Sequence, residues 1–340
     1  MTAPGKAPAK ALVTGGTGFI GGWIARALVE AGWEVRCLAR PSSPRAHLGD
    51  LSLEFAEGDL RDPASLRRAA EGCQALFHAA GYYALWSAEP ETFQRSNVEG
   101  TRSVLEAARG AGVGRVVYVS SVACLGEAPP GGLADEDTPA TPEDLCGDYK
   151  RSKFQAEQIA LAAAAAGQEV VIVNPSSVIG PGDLRPTPTG QIIVDFLRGR
   201  MPAYLDTGLN FVDVRDVAQG ARLAYERGVP GRRYIIGNAR GNKSLREFLS
   251  LVGEVAGRRA PRLKAPYALA YLAGAASTAL AELTGRPPAV PLVGVQMARH
   301  RMFFDPGRAI RELGLPQTPL RETVADAVGW FRARGMVPPA

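Results

Sequence analysis

Along the first half of the chain, short unbroken apolar runs alternate with stretches whose apolar residues recur every three or four positions. Ala11, Leu12 and Val13 make the first run. Phe19, Ile20, Trp23, Ile24, Ala27, Leu28 and Ala31 then put one apolar stripe on a helix, which Gly32 closes. Unbroken runs of this kind predict strands buried on both faces. Glu34 to Arg40, Leu53 to Ala56, Ala75 to Gly81, Arg115 to Ser121 and Val170 to Val173 read as further strands, and Tyr234 to Ile236 adds another. Helices are predicted from Asp62-Pro63, over Asn97 to Gly110, and from Gly147-Asp148 to Ala166. Such alternation predicts an α/β fold, a doubly wound parallel sheet that takes ligands beyond the carboxyl ends of its strands.

The pattern changes after residue 181. Residues 182–210 are punctuated by Pro and Gly, and Phe211 to Ala218 reads as a short return to the first layer. Beyond it the chain is mostly helical, over Leu245 to Ala256, Tyr267 to Leu283 and Leu320 to Arg334. The expected organisation is a flexible tail (1–9), a dinucleotide-binding domain (10–180, rejoined at 211–238) and a smaller helical substrate domain (181–210 and 239–340).

Composition narrows the function classes. Of 340 residues, 46% are hydrophobic and 21% charged, the balance of a globular protein. The net charge of +5 is scattered, with no basic run interleaved with aromatics, so nucleic acid is not an expected partner. Cys37, Cys73, Cys124 and Cys146 show no C-x-x-C spacing and the three histidines lie far apart, which predicts no metal site and reduced thiols in a cytoplasm. Tyr267 to Leu283 is Ala- and Leu-rich; at about 17 residues it is at the lower limit for spanning a bilayer. It is expected as a buried or substrate-covering helix, with shallow peripheral membrane contact as the alternative and no integral membrane segment.

Between the first strand and helix stands Thr14-Gly15-Gly16-Thr17-Gly18-Phe19-Ile20-Gly21. On its own it could be an ordinary glycine-rich turn. With strand and helix on either side it predicts a dinucleotide site: Gly15 for the sharp turn, Gly18 for approach of a pyrophosphate, Gly21 for close packing. Thr17, Phe19 and Ile20 belong to the same turn. About twenty residues on, where NAD-preferring sites carry an acid, the chain has Arg40 with Ser42 and Ser43 beside it. A guanidinium pairs with a 2′-phosphate, so NADP is favoured over NAD, unless Arg40 is a solvated surface residue. Asp59, with Leu60, is placed for the adenine, or caps the next helix, a role that suits Asp62 better. Ala79 and Ala80 let a cofactor lie close, Pro175 and Ser177 follow the sixth strand, and His78 is expected to be packed rather than reactive.

Ser121 ends the fifth strand, and Tyr149 and Lys153 stand four apart on one helical face, with Asn97 as a fourth candidate. A phenol with an ordinary pKa near ~10 is a poor base at neutral pH. A lysine one turn away, with an oxidised nicotinamide, would lower that value. Tyr149 would then exchange a proton with a substrate oxygen held by Ser121 while a hydride crosses to or from the nicotinamide.

With these residues in place the chain resembles the extended short-chain dehydrogenase/reductases over nearly its whole length, a Rossmann fold with a smaller substrate domain. The glycine turn matches that family's nucleotide turn, Ser121, Tyr149 and Lys153 match its triad, and Asn97 sits where such enzymes keep an asparagine. The Val-Arg-x-Leu-x-Arg stretch ending at Arg40 resembles the dihydroflavonol 4-reductase branch, where that arginine serves NADP. Tyr149-Lys150-Arg151-Ser152-Lys153-Phe154, Val173-Asn174-Pro175-Ser176, 186–190 and 201–208 resemble bacterial hopanoid-associated sugar epimerases.

The resemblance implies two chemistries. Nucleotide-sugar epimerases commonly carry Thr-Arg-Asp-Phe before a Val-x-Asp-Val-Ala segment, with the arginine on the nucleotide. Aligned on Phe211, this chain has Gly208-Leu209-Asn210-Phe211, so leucine stands in place of the arginine. Tyr82, Tyr83, Leu85 and Trp86 could line an apolar pocket or form core, and Ser121 and Asn174 are further substrate candidates. The expected activity is NADP(H)-dependent interconversion of a ketone and a secondary alcohol on a fairly apolar small molecule, with sugar or nucleotide-sugar epimerisation as the alternative. Relatives often dimerise through the helices containing Asn97 and Tyr149, which implies a homodimer.

Overall fold

The computed structural model describes residues 9–128 and 131–339, so the expected tail lies, except for Ala9, outside the described residues. The chain opens with β1 (Lys10–Thr14) and α1 (Phe19–Glu30), then β2 (Glu34–Ala39) and β3 (Leu53–Glu57). α2 (Pro63–Ala70) leads to β4 (Ala75–His78); the single turn α3 (Glu91–Phe93) runs through a π-helical turn at Gln94–Glu99 into α4 (Gly100–Gly110). β5 (Arg115–Val119), α5 (Gly147–Ala165) and β6 (Val170–Pro175) complete the first half. Next come β7 (Ser177–Ile179), α6 (Pro188–Leu197), β8 (Ala203–Tyr204), β9 (Gly208–Asp213), α7 (Val214–Arg227) and β10 (Arg233–Ile236).

Seven of these strands form one parallel sheet in the order β10-β6-β5-β4-β1-β2-β3. The order reverses direction between β1 and β4, which opens a crevice there. Core residues of α1 and α7 cover one face, with Leu28, Phe77, Val117 and Val217 fully buried. α2, α4 and α5 cover the other face, over Leu12, Leu76, Val116 and Ile172. Each such Leu or Ile contributes about 1.5–3 kcal/mol by leaving water. Asp62 caps α2 by accepting from Ala64 N (3.0 Å) and Ser65 N (3.2 Å), with Pro63 behind it as the first helical residue.

The remaining elements are β11 (Asn242–Ser244), α8 (Leu245–Ala256), β12 (Leu263–Lys264), α9 (Tyr267–Thr284), α10 (Leu292–Met297), β13 (Arg301–Met302), α11 (Gly307–Leu313) and α12 (Leu320–Ala333). They are not purely helical. β9 is the centre of a second, small sheet, paired with β11, β13 and β7. α6, α8 and α12 pack over it around Phe211, Phe248 and Phe331, with the rings of Phe211 and Phe248 stacked 3.7 Å apart. A capping box at Ser244 and Glu247 starts α8.

Candidate active site

The carboxyl ends of β1, β4, β5 and β6 open into a cavity of about 960 Å³. Gly15, Thr17, Gly18, Phe19, Ile20 and Gly21 line it. Gly15 has φ +72°, and a Cβ there would stand 2.7 Å from the Ala80 nitrogen; a Cβ at Gly21 would strike the Gly15 carbonyl oxygen. Gly18 N donates to Gly15 O (2.8 Å), closing the turn. α1 starts without a side-chain cap or an acidic residue in its first turn, so its leading N–H groups and its dipole suit an anion. This cradle fits a dinucleotide's pyrophosphate.

Arg40, Asp59, Leu60, Ala79, Ala80, Pro175 and Ser177 line the same cavity. Arg40 is exposed at its rim, with Ser43 close by. The Asp59 carboxylate is gripped by Arg61, Nε at 2.9 Å and Nη2 at 3.1 Å, and Arg61 holds its pKa below the usual carboxylate range. Asp59 therefore faces the cavity and Asp62 does the capping. Arg61 went unread in the sequence, although a second cation beside Asp59 was there to be seen.

Ser121, Tyr149 and Lys153 also meet at this cavity. Ser121 Oγ accepts from Ala123 N (3.1 Å), which fixes it at the end of β5. Lys153 is buried; its Nζ donates to Val119 O (2.9 Å) and to the Tyr118 hydroxyl (3.2 Å). Burial brings its pKa down to about 8. Tyr149 departs from the sequence expectation, since its pKa is raised, not lowered by Lys153. Burial is the main cause, the Tyr83 phenol adds to it, and the Ser121 hydroxyl opposes it. The Tyr83 ring lies 4.5 Å from that of Tyr149. With Nζ committed to Val119 and Tyr118, desolvation outweighs the cation's pull.

Three further expectations are corrected. Asn97 does not reach the cavity: its Oδ1 accepts from Tyr82 N (2.7 Å), and its Nδ2 donates to Tyr82 O (3.1 Å) and Ser152 Oγ (2.9 Å). It clamps the loop after β4 onto α5 and is a positioning residue. Asn174 is fully buried behind the lining, donating to Ser121 O (3.0 Å) and Glu157 Oε2 (2.6 Å). Trp86 is half-buried outside the lining, whereas Tyr82, Tyr83 and Leu85 do line it. His78 is buried between the hydroxyls of Thr14 and Thr101, and burial lowers its pKa to about 3.

The part of the lining supplied by the second half of the chain and Leu85 is largely apolar, with Leu85, Ile192, Leu209, Leu245, Met297 and Met302, relieved by Arg185, Thr187 and Thr189. α6, β9, α10 and β13 supply most of it. α9, expected as a buried or substrate-covering helix, contributes nothing to the lining and buries only Gly274 and Ala281. α10 takes that place. Among the described residues no group of three His, Cys, Asp or Glu side chains is arranged to hold a metal ion.

Known proteins resemble this chain in sequence and in fold. The family model described as NAD dependent epimerase/dehydratase matches residues 11–237. A Synechocystis protein provisionally named dihydroflavonol 4-reductase is 48% identical over 330 residues, 96% of this chain and 95% of its own. Sterol demethylase protein B of Methylococcus capsulatus is 36% identical over 328 residues, 96% of this chain and 99% of its own. The crystal structure of gox2253 superposes with a TM-score of 0.86 at 43% identity, covering 97% of this chain and 99% of that one. MoeE5 in complex with UDP-glucose and NAD superposes with a TM-score of 0.72 at 26% identity, covering 96% and 99%.

Proposed function

The chain belongs to the NAD-dependent epimerase/dehydratase family of extended short-chain dehydrogenase/reductases, and from that premise we propose that it reduces a ketone on a fairly apolar small molecule to a secondary alcohol with NADPH. The observation that carries this reading is the apolar lining of the cavity that also holds Tyr149, with Leu209 in it where a nucleotide-sugar enzyme would present an arginine. Arg40 at the rim supports NADP through its fit to a 2′-phosphate. The relatives named for a dihydroflavonol reductase and a sterol demethylase protein support an apolar substrate.

The glycine turn, Arg40 and Lys153 would hold the cofactor, which would supply the hydride when bound. Ser121 holds the substrate oxygen by hydrogen bond, and Tyr149 gives it a proton as that oxygen gains charge. Burial keeps the Tyr149 phenol protonated, the form that gives a proton in the reductive direction. The unpaired thiols of Cys37, Cys73, Cys124 and Cys146 support a reducing cytoplasm, where we place the reaction. A homodimer through α4 and α5 is part of the same proposal.

Purified protein supplied with NADPH and a panel of flavonoid-like and sterol-like ketones tests the reading. Cofactor oxidation should accompany alcohol formation, and Tyr149→Phe should cut turnover about 10²–10⁴-fold while leaving the NADPH-induced thermal shift in place. Interconversion of a UDP-sugar and its C4 epimer without net NADPH consumption would replace this reading with epimerisation.

A further inference from the structure

We propose that the outer face of α9 and the cationic segments flanking it dock this protein on an anionic lipid surface. The helix has only one charged residue, Glu282, yet it is turned outward: Leu269, Leu272 and Leu280 are 63%, 64% and 60% exposed, and Leu283 is 85% exposed. Inward it packs at Gly274 against Leu292 and Val295 of α10, buries Ala281, and accepts from Val290 N and Leu292 N through Ser277 and Thr278. Apolar side chains so exposed, on one element, mark a surface that meets something other than water.

Charge says what it meets. Residues 257–301 contain seven Arg and Lys against the single acid Glu282, while the entire chain nets only +5. Lys264 and Arg301 are paired with Asp206, but Arg259, Arg262 and Arg286 are exposed and make no ion pair among the described residues. They lie before and after the helix, bracketing its leucines with cations, the pattern of an element resting in a lipid headgroup layer. A second copy on the same face is disfavoured, because two-fold packing would bring cation against cation at both ends of α9. The helix lies on the surface and does not span it: among the described residues no helix is long and apolar enough to cross a membrane. Docking also bears on the cavity, since α10, packed against α9, lines it through Gly294 and Met297, with Ala298 just after the helix.

The full chain is centrifuged with phosphatidylcholine vesicles and with vesicles containing phosphatidylglycerol. Expected is enrichment on the anionic vesicles that weakens as salt rises, and a loss of about tenfold or more in the double variant Leu272→Glu/Leu280→Glu. The variant's melting midpoint and its NADPH-induced shift should match the parent, since neither residue lines the cavity. Two results overturn the proposal: equal recovery with neutral and anionic vesicles, or a parent dimer in sedimentation equilibrium that the double variant turns into monomers, which gives the face to a second copy. Neither readout requires ketone turnover, so the proposal stands or falls apart from the proposed reaction.

Discussion

Lys153 shows what a single buried cation costs and what it is kept for. Its folded pKa of about 8 lies below the ordinary 10.5, so between those values the unfolded chain binds more protons than the folded one. Its contribution to stability therefore rises with pH across that window, and below it the fold carries the full cost, on the order of 3 kcal/mol. Lys153→Met should raise the urea midpoint at neutral pH, flatten the rise between pH 8 and 10.5, and abolish ketone reduction; a lower midpoint at pH 7 would contradict this. Ser121, Tyr149 and Lys153 were legible in the sequence because helical pitch and a strand's end fix their positions locally. Asn97, Asn174 and Trp86 were not. What the two asparagines face is decided by Tyr82, Ser152 and Glu157, partners brought from elsewhere in the chain.

At the scale of elements, the turn from β1 into α1 tolerates almost no added bulk. Gly21→Ala would set a methyl against the Gly15 carbonyl, and neither backbone segment can retreat without opening the β1–β4 crevice. Overpacking of this kind costs about 1–3 kcal/mol, and calorimetry should show a lowered melting midpoint with little further shift on adding NADPH. A melting curve and cofactor response equal to the parent's would show that the turn yields. The strands and helices of the first half could be read because each repeats its period for long enough. α6 and α10 escaped because Pro and Gly break their surroundings. The small sheet escaped because β9 finds β7, β11 and β13 only in the folded chain. α9 was legible as a helix, but its composition, apolar nearly all round, did not tell which side would be covered.

At the scale of the molecule, several bonds tie the sheet that carries the glycine turn to the elements opposite it. Asp213, at the end of β9, caps α7 through Arg215 N (2.7 Å), and Arg215 reaches on to Asp326 of α12 (2.7 Å). Arg215's pKa is raised by both carboxylates, Asp213 first. A more direct tie runs from the helix that begins at the turn. Trp23 Nε1 donates to Pro181 O (2.7 Å), and a Cβ on Gly182 would stand 3.0 Å from that indole nitrogen. Whatever steadies the amino end of α1 thus also steadies the strap that leads to Arg185 and Thr187. For the proposed reaction this link predicts a compulsory order of arrival, nucleotide before ketone. Amide exchange over residues 181–187 should slow on adding NADPH alone, and product-inhibition patterns should be those of an ordered rather than a random scheme.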